Sequence, residues 1–112
     1  MAKPSTRAYS RYSRDAAVLL GRLIRRERIE RKLTAEELAE RAGLSRGLVR
    51  RIENGDPGCS IGAVFEAAAI VGVRLFDADQ PTLTQAIGAN AATLTLLPKA
   101  VRVPRIEAKD DF

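Results

Sequence analysis

Histidine and tryptophan are absent from the chain, and cysteine occurs once, at Cys59. Without imidazole there is no zinc site of the Cys/His kind and no histidine-based acid–base catalysis. A single thiol forms no intramolecular disulfide, so the expected setting is a reducing cytoplasm, with the nucleoid as the working location. Cys59 also lacks a basic neighbour that would make it a nucleophile, and it reads as structural or incidental. Aromatic residues make up only 4% of the chain. Any core must therefore be small and aliphatic, and only Tyr9 and Tyr12 are left as base-stacking groups for an RNA-binding role. No run approaches the roughly 18–20 apolar residues of a transmembrane helix, and no signal-peptide pattern opens the chain. A glycine-rich phosphate loop and a recognisable carboxylate pair are missing too. The expectation is a protein that is not an enzyme, with no catalytic residues, cofactor, metal, small-molecule ligand or membrane partner.

What is present is positive charge. Nineteen Lys and Arg against fourteen Asp and Glu give +5 and a pI of about 10.0 over 112 residues. Such a balance favours a polyanionic partner, although charge alone does not separate DNA, RNA and acidic membranes. The length suits one domain with tails, and a hydrophobic content of 46% is enough for its core.

The rest is organised around Leu33–Gly55, LTAEELAERAGLSRGLVRRIENG. Thr34 and Glu37 form a capping box, in which hydroxyl and carboxylate satisfy each other's backbone N–H groups. Leu38, Ala39 and Ala42 follow at helical spacing, and Gly43 ends a short helix. Ser45 caps a second short helix that runs to Asn54 and is closed by Gly55. Two short helices joined by a tight turn form a helix-turn-helix, whose second helix enters the major groove of DNA. On that helix Val49, Ile52 and Leu48 form an anchoring side. Gly47, Arg50, Arg51 and Asn54 fall opposite, with Arg46 in the first turn, so the outer face offers three guanidiniums and no carboxylate. Arginine's planar fork donates two bonds to guanine O6 and N7. Gly47 gives up about 1 kcal/mol of helix propensity but removes bulk where the helix must approach DNA. The competing reading is a solvated basic helix; the capped pair, the tight turn and the basic face together favour DNA.

These residues resemble the XRE family, the Cro- and lambda-repressor-like helix-turn-helix domains, over about Leu20 to Phe76. The likeness is carried by LGRLIRRERIERKLTAEELAERAGLSRGLVRRIENG and a following helix that ends in Val-Gly-Val. It implies a mainly all-α fold of four or five helices. It also implies base reading by Arg46, Gly47, Arg50 and Arg51, phosphate contacts near Thr34, Ser45 and Asn54, and a buried ion pair between Arg28 and Glu53. Two positions depart from the family pattern. Ala35 stands where a phosphate-touching glutamine is common, and Asp56-Pro57-Gly58-Cys59 replaces an often basic loop.

Met1 to Arg14 reads as a flexible basic arm carrying Lys3, Arg7, Arg11 and Arg14. Arg11 and Arg14 are candidate phosphate contacts, the alternative being a solubilising tail. Helix one is predicted from about Asp15 to Arg31 with Ser13 as cap. Its apolar stripe is Ala16, Leu20, Leu23, Ile24 and Ile29, and Arg22, Arg25, Arg26 and Glu30 face solvent. Ser60 caps a helix over Ile61–Val71 with an apolar stripe of Ile61, Val64, Phe65, Ala68 and Ala69, and Gly72 closes it. Val73-Arg74-Leu75-Phe76 then reads as a short strand. A lone strand leaves its backbone groups unpaired, and a second copy supplies the partner most simply. Val73, Leu75 and Phe76 are therefore the expected dimerisation residues of an intersubunit ribbon. A dimer also presents two recognition helices about 34 Å apart, suited to a palindromic operator.

Beyond Asp77 a helix capped by Thr82 or Thr84 is expected through about Ala92. An extended basic segment over Pro98–Ile106 and an acidic tail over Glu107–Phe112 follow. Three domains result: an arm over 1–14, the helix-turn-helix domain with its dimerisation strand over 15–77, and a helix with a partner-binding tail over 78–112. The strand, Leu96-Leu97-Pro98-Lys99 and the Asp110-Asp111-Phe112 end resemble HipB-like antitoxins. That resemblance implies a homodimer that represses its own operon and binds a HipA-like serine/threonine kinase toxin. The alternatives are a stand-alone regulator, or a protein-interaction module that no longer reads DNA, which Ala35 and Asp56 recommend.

Overall fold

Ser10 accepts the Ser13 N–H on its hydroxyl at 3.1 Å, and from that cap α1 runs over Arg11–Glu30. The computed structural model describes residues 8–103. Lys3 and Arg7 of the expected arm and the acidic tail Glu107–Phe112 lie outside them. The helix starts four residues before the predicted Asp15, because Ser10 rather than Ser13 supplies the capping oxygen. Arg11 and Arg14 consequently stand on the first turn of a helix and not in an arm.

In α2, Ala35–Ala42, the capping box is complete. Thr34 Oγ1 accepts from the Glu37 N–H at 3.0 Å, and Glu37 accepts from the Thr34 N–H at 2.8 Å. Gly43 turns left-handed at φ 70°, and the Leu44 N–H returns to the Ala39 carbonyl at 2.9 Å. The chain reverses tightly into α3, Arg46–Glu53, where the Ser45 hydroxyl accepts from the Leu48 N–H at 3.0 Å. Ser60 caps α4, Ile61–Val71, in the same way.

Each of these four helices gives the core one large, fully buried side chain: Ile24, Leu38, Val49 and Val71. Ala39, Ile52, Ala67 and Ala68 complete it. Each large aliphatic group contributes about 1.5–3 kcal/mol by leaving water. The buried side of α4 is Ala67, Ala68 and Val71. Ile61 and Ala69 of the predicted stripe are exposed. Gly21 sets how closely α1 and α3 approach, since a methyl group there would run into the Ile52 carbonyl oxygen.

The predicted strand at Val73–Phe76 is replaced by a 3-10 turn over Leu75–Asp77. The Val73 N–H is committed to the Ala68 carbonyl at 2.9 Å, wrapping the chain back over the end of α4. Phe76 at φ 55° and Asp77 at φ 52° are left-handed, a geometry that no ribbon accepts. The Phe76 ring meets Phe65 edge-on with centroids 6.4 Å apart, while Val73 and Leu75 pack against the core. The strand expected for an intersubunit ribbon through Val73, Leu75 and Phe76 is therefore not formed: the Val73 N–H closes α4, and Leu75 to Asp77 make the 3-10 turn. Among the described residues there are five α-helices and no strand, so the fold is all-α.

The chain divides after Asp77 into two compact units. The second holds α5, Gln80–Thr95, which is longer than predicted at both ends. Asp79 accepts the Thr82 N–H at 3.0 Å, and Pro81 occupies the first turn, where its missing N–H is no loss. No described helix is long and apolar enough to cross a membrane.

Candidate nucleic-acid interface

The outer side of α3 is built by its own amphipathicity. Val49 and Ile52 are buried, which turns Arg46, Gly47, Arg50, Arg51 and Asn54 outward into solvent. The orientation of the helix is braced from behind. Arg28 on α1 donates to both carboxylate oxygens of Glu53, at 2.6 and 2.9 Å, and its third contact is the Leu33 carbonyl at 2.8 Å. Arg28 and Glu53 are only 13% and 7% exposed, so one bidentate pair ties α1, the α1–α2 loop and the end of α3 together. The hydrogen bond to Glu53 raises the Arg28 pKa above its already high ordinary value.

The three guanidiniums of α3 are not equivalent. Arg51 donates to Asp56 at 2.8 Å, and Asp56 in turn accepts the Gly58 N–H at 2.8 Å. This pairing lowers the Asp56 pKa and raises that of Arg51. Arg51 thereby shapes the 56–58 loop, which corrects the expectation of an outer face without carboxylates. Arg46 lies 3.6 Å from Glu36 on α2, with both side chains well exposed, so the pair is weak and readily exchanged. The Arg50 guanidinium has no hydrogen-bond or ion-pair partner among the described residues.

Arg50 instead lines a shallow cavity of about 290 Å³ with Arg25, Arg28, Ala35, Glu53 and Asn54. Three guanidiniums there face one carboxylate, and Arg28 already balances that carboxylate. The remaining excess belongs to Arg25 and Arg50, with the Asn54 amide beside them. Such a set holds an oxyanion well, since guanidinium forks match its geometry. Small Ala35 leaves the wall open. The sequence places Arg25 on the solvent-facing basic side of the first helix, a side that could lie alongside the DNA backbone, without singling it out. Its spacing was the available signal, because it lies three residues before Arg28 and shares a helix face with it.

The expected phosphate contacts are scattered around this centre. Thr34 and Ser45 are exposed at the starts of α2 and α3, their oxygens occupied as acceptors while each hydroxyl proton stays free to donate. Asn54 is exposed at the end of α3. Arg11 pairs with Asp15 at 3.8 Å on the surface of α1, and Arg14 is exposed one turn along. Cys59 is half-buried, and burial raises its pKa, away from the reactive thiolate. Among the described residues no group of three His, Cys, Asp or Glu side chains could hold a metal ion.

Two capped helices joined by a left-handed glycine, the second bearing exposed arginines, define a helix-turn-helix protein, a class that binds double-stranded DNA as a regulator. A family model described as a helix-turn-helix domain matches residues 19–80, more than half of the chain, and the chain belongs to that family. No curated protein and no solved structure matches it.

Proposed function

We propose that the protein is a sequence-specific transcriptional repressor that binds palindromic double-stranded DNA as a homodimer in the cytoplasm. The observation that carries this reading is the solvent-facing Arg50, beside Arg25 and Asn54, on a helix whose other side is locked into the core. Arg46 and Arg50 read base edges, and Gly47 admits the groove wall between them. Arg25, Asn54, Thr34 and Ser45 hold phosphates, with Arg11 and Arg14 reaching further along the backbone. Arg51 leaves the base-reading set and orders the loop through Asp56. The division of labour is general: backbone contacts position the protein, and base contacts specify the site.

Selection of bound duplexes from a random-sequence library tests the reading. Enrichment of a palindrome with half-sites about one helical turn apart supports it. Recovery of unenriched DNA at every salt concentration contradicts it, and would favour a protein-interaction module on a helix-turn-helix scaffold.

A second reading, the HipB-like antitoxin, draws on the exposed apolar residues Leu96, Val101 and Val103 beside Lys99 and Arg102, a surface suited to a protein partner. Its strand is no longer among its supports. A serine/threonine kinase encoded in the adjoining reading frame that co-elutes with this chain would favour it, and a kinase that elutes apart would exclude it.

A further inference from the structure

Glu36 and Glu37 are adjacent acids in the first turn of α2, and only Glu37 serves the cap. The Glu36 carboxylate takes no part in that box and is 75% exposed. Its one partner among the described residues is Arg46, the first residue of α3, whose Nη1 lies 3.6 Å from Glu36 Oε1. The tight turn through Gly43 thus sets an acceptor beside the donors of the residue that opens the recognition helix. A carboxylate there works against DNA affinity in general, since every phosphate of a duplex repels it. Its charge is a penalty on any sequence unless a group in the groove donates to it.

We infer that Glu36 and Arg46 read one G·C pair together, Arg46 donating to guanine O6 and N7 and Glu36 accepting from the cytosine N4 amino group. The inference rests on the base-reading role given to Arg46 above and adds the residue that sharpens its preference.

The match is one of pattern. Across the major groove a G·C pair presents two acceptors, N7 and O6, and then one donor, the N4 amino group. An arginine fork flanked by a carboxylate presents two donors and then one acceptor. Spacing agrees with this. O6 and N4 are hydrogen-bonded to each other and so stand about 3 Å apart, close to the 3.6 Å between the two side chains. The pair therefore meets the base edge without being taken apart. Other base pairs break the row. An A·T pair shows an acceptor, a donor, an acceptor and then the thymine methyl, so the guanidinium loses one bond and the carboxylate faces an acceptor. A reversed pair puts the amino group under the guanidinium. Glu36 thus acts by rejection as much as by attraction, as an unpaired charge does against a wrong partner. An acid in the first turn of α2 also favours the helix. A role confined to that would change stability and leave sequence preference alone.

Binding of the full chain to the selected duplex and to a scrambled one, compared for Glu36→Ala and Glu36→Gln, tests this. Glu36→Ala should weaken the selected site about fivefold or more. It should tighten the scrambled duplex about twofold, because a repulsion from phosphate goes with the acceptor. Glu36→Gln keeps an amide oxygen as acceptor and should recover most of the loss on the selected site. Duplexes varied one base pair at a time should show the lost discrimination at a single G·C pair of each half-site, the pair that Arg46→Ala also blurs. In an Arg46→Ala chain, Glu36→Ala should cost little more, the coupling expected of two residues that act together. Equal changes on both duplexes, or variants that only melt at a lower temperature, overturn the inference and spare the DNA reading. A wild-type chain that selects no duplex would remove the reading on which it rests.

Discussion

Helices α1 and α5 are similar in length and opposite in character. The first carries nine charged residues, from Arg11 to Glu30, and the second carries none. Yet α1 is the one with a fully buried side chain, Ile24, and the one whose Gly21 touches α3. The charged helix belongs to a core, and the uncharged helix does not. The difference teaches that charge on a helix is no guide to whether it is structural. What matters is where each charge is held. On α1, Arg28 is sequestered by Glu53, Arg26 pairs with Glu30 at 3.5 Å on the surface, and Arg25 is left over at the cavity beside Arg50. The same helix therefore braces α3 and supplies an anion contact next to it. Neutral α5 has no such work to do.

The largest effects should separate the two helices. Ile24→Ala should lower unfolding stability by about 2–5 kcal/mol, as a cavity in a small aliphatic core does. Ile87→Ala should cost far less, because Ile87 is 64% exposed. Equal losses would erase the contrast. Glu53→Ala strands the Arg28 guanidinium and should destabilise by about 3–5 kcal/mol in urea unfolding. Replacing both partners with methionine should recover most of that loss, and failure to recover would mean the pair itself was the stabilising element. Gly21→Ala should follow at about 1–3 kcal/mol, because α1 and α3 must move apart. A neutral result there would show that the helices slide without strain.

Smaller effects test the charges one at a time. Arg25→Ala should reduce binding to every duplex alike and lower the salt slope by about one. An unchanged slope would remove Arg25 from the interface. The least effect is that of the α2 cap. Glu37 has its carboxyl held below its ordinary value of 4.5, first by the Thr34 N–H. A depressed carboxylate stabilises fully above that value and stops doing so as pH falls through the lowered one. Glu37→Gln should therefore lower stability near neutral pH and flatten its fall in acid; a parallel pH profile would contradict the cap's role.

Much of the fold was legible because capping is local. Thr34 with Glu37, Ser45, Ser60, Gly43 and Gly72 each act within a few residues, and the α2 to α4 boundaries follow from them. The start of α1 was less determinate, since Ser10 and Ser13 are both competent caps three residues apart. For α5, Asp79 with Pro81 competed with two threonines. The strand at Val73–Phe76 failed for another reason. A run of four residues fits many conformations, and the wrap of Val73 onto Ala68 together with the Phe65–Phe76 ring contact is tertiary. At the site, the outward face of α3 followed from periodicity. The Arg51–Asp56 pair did not, because residues five apart meet only when the loop turns back.

Arg50 carries the central claim, and its removal is the most direct test. With the selected duplex in hand, Arg50→Ala should cost about 1–3 kcal/mol on that site, about five- to 150-fold in dissociation constant. Binding to a scrambled duplex should change far less. Equal weakening on both, or none on either, would contradict base reading by α3.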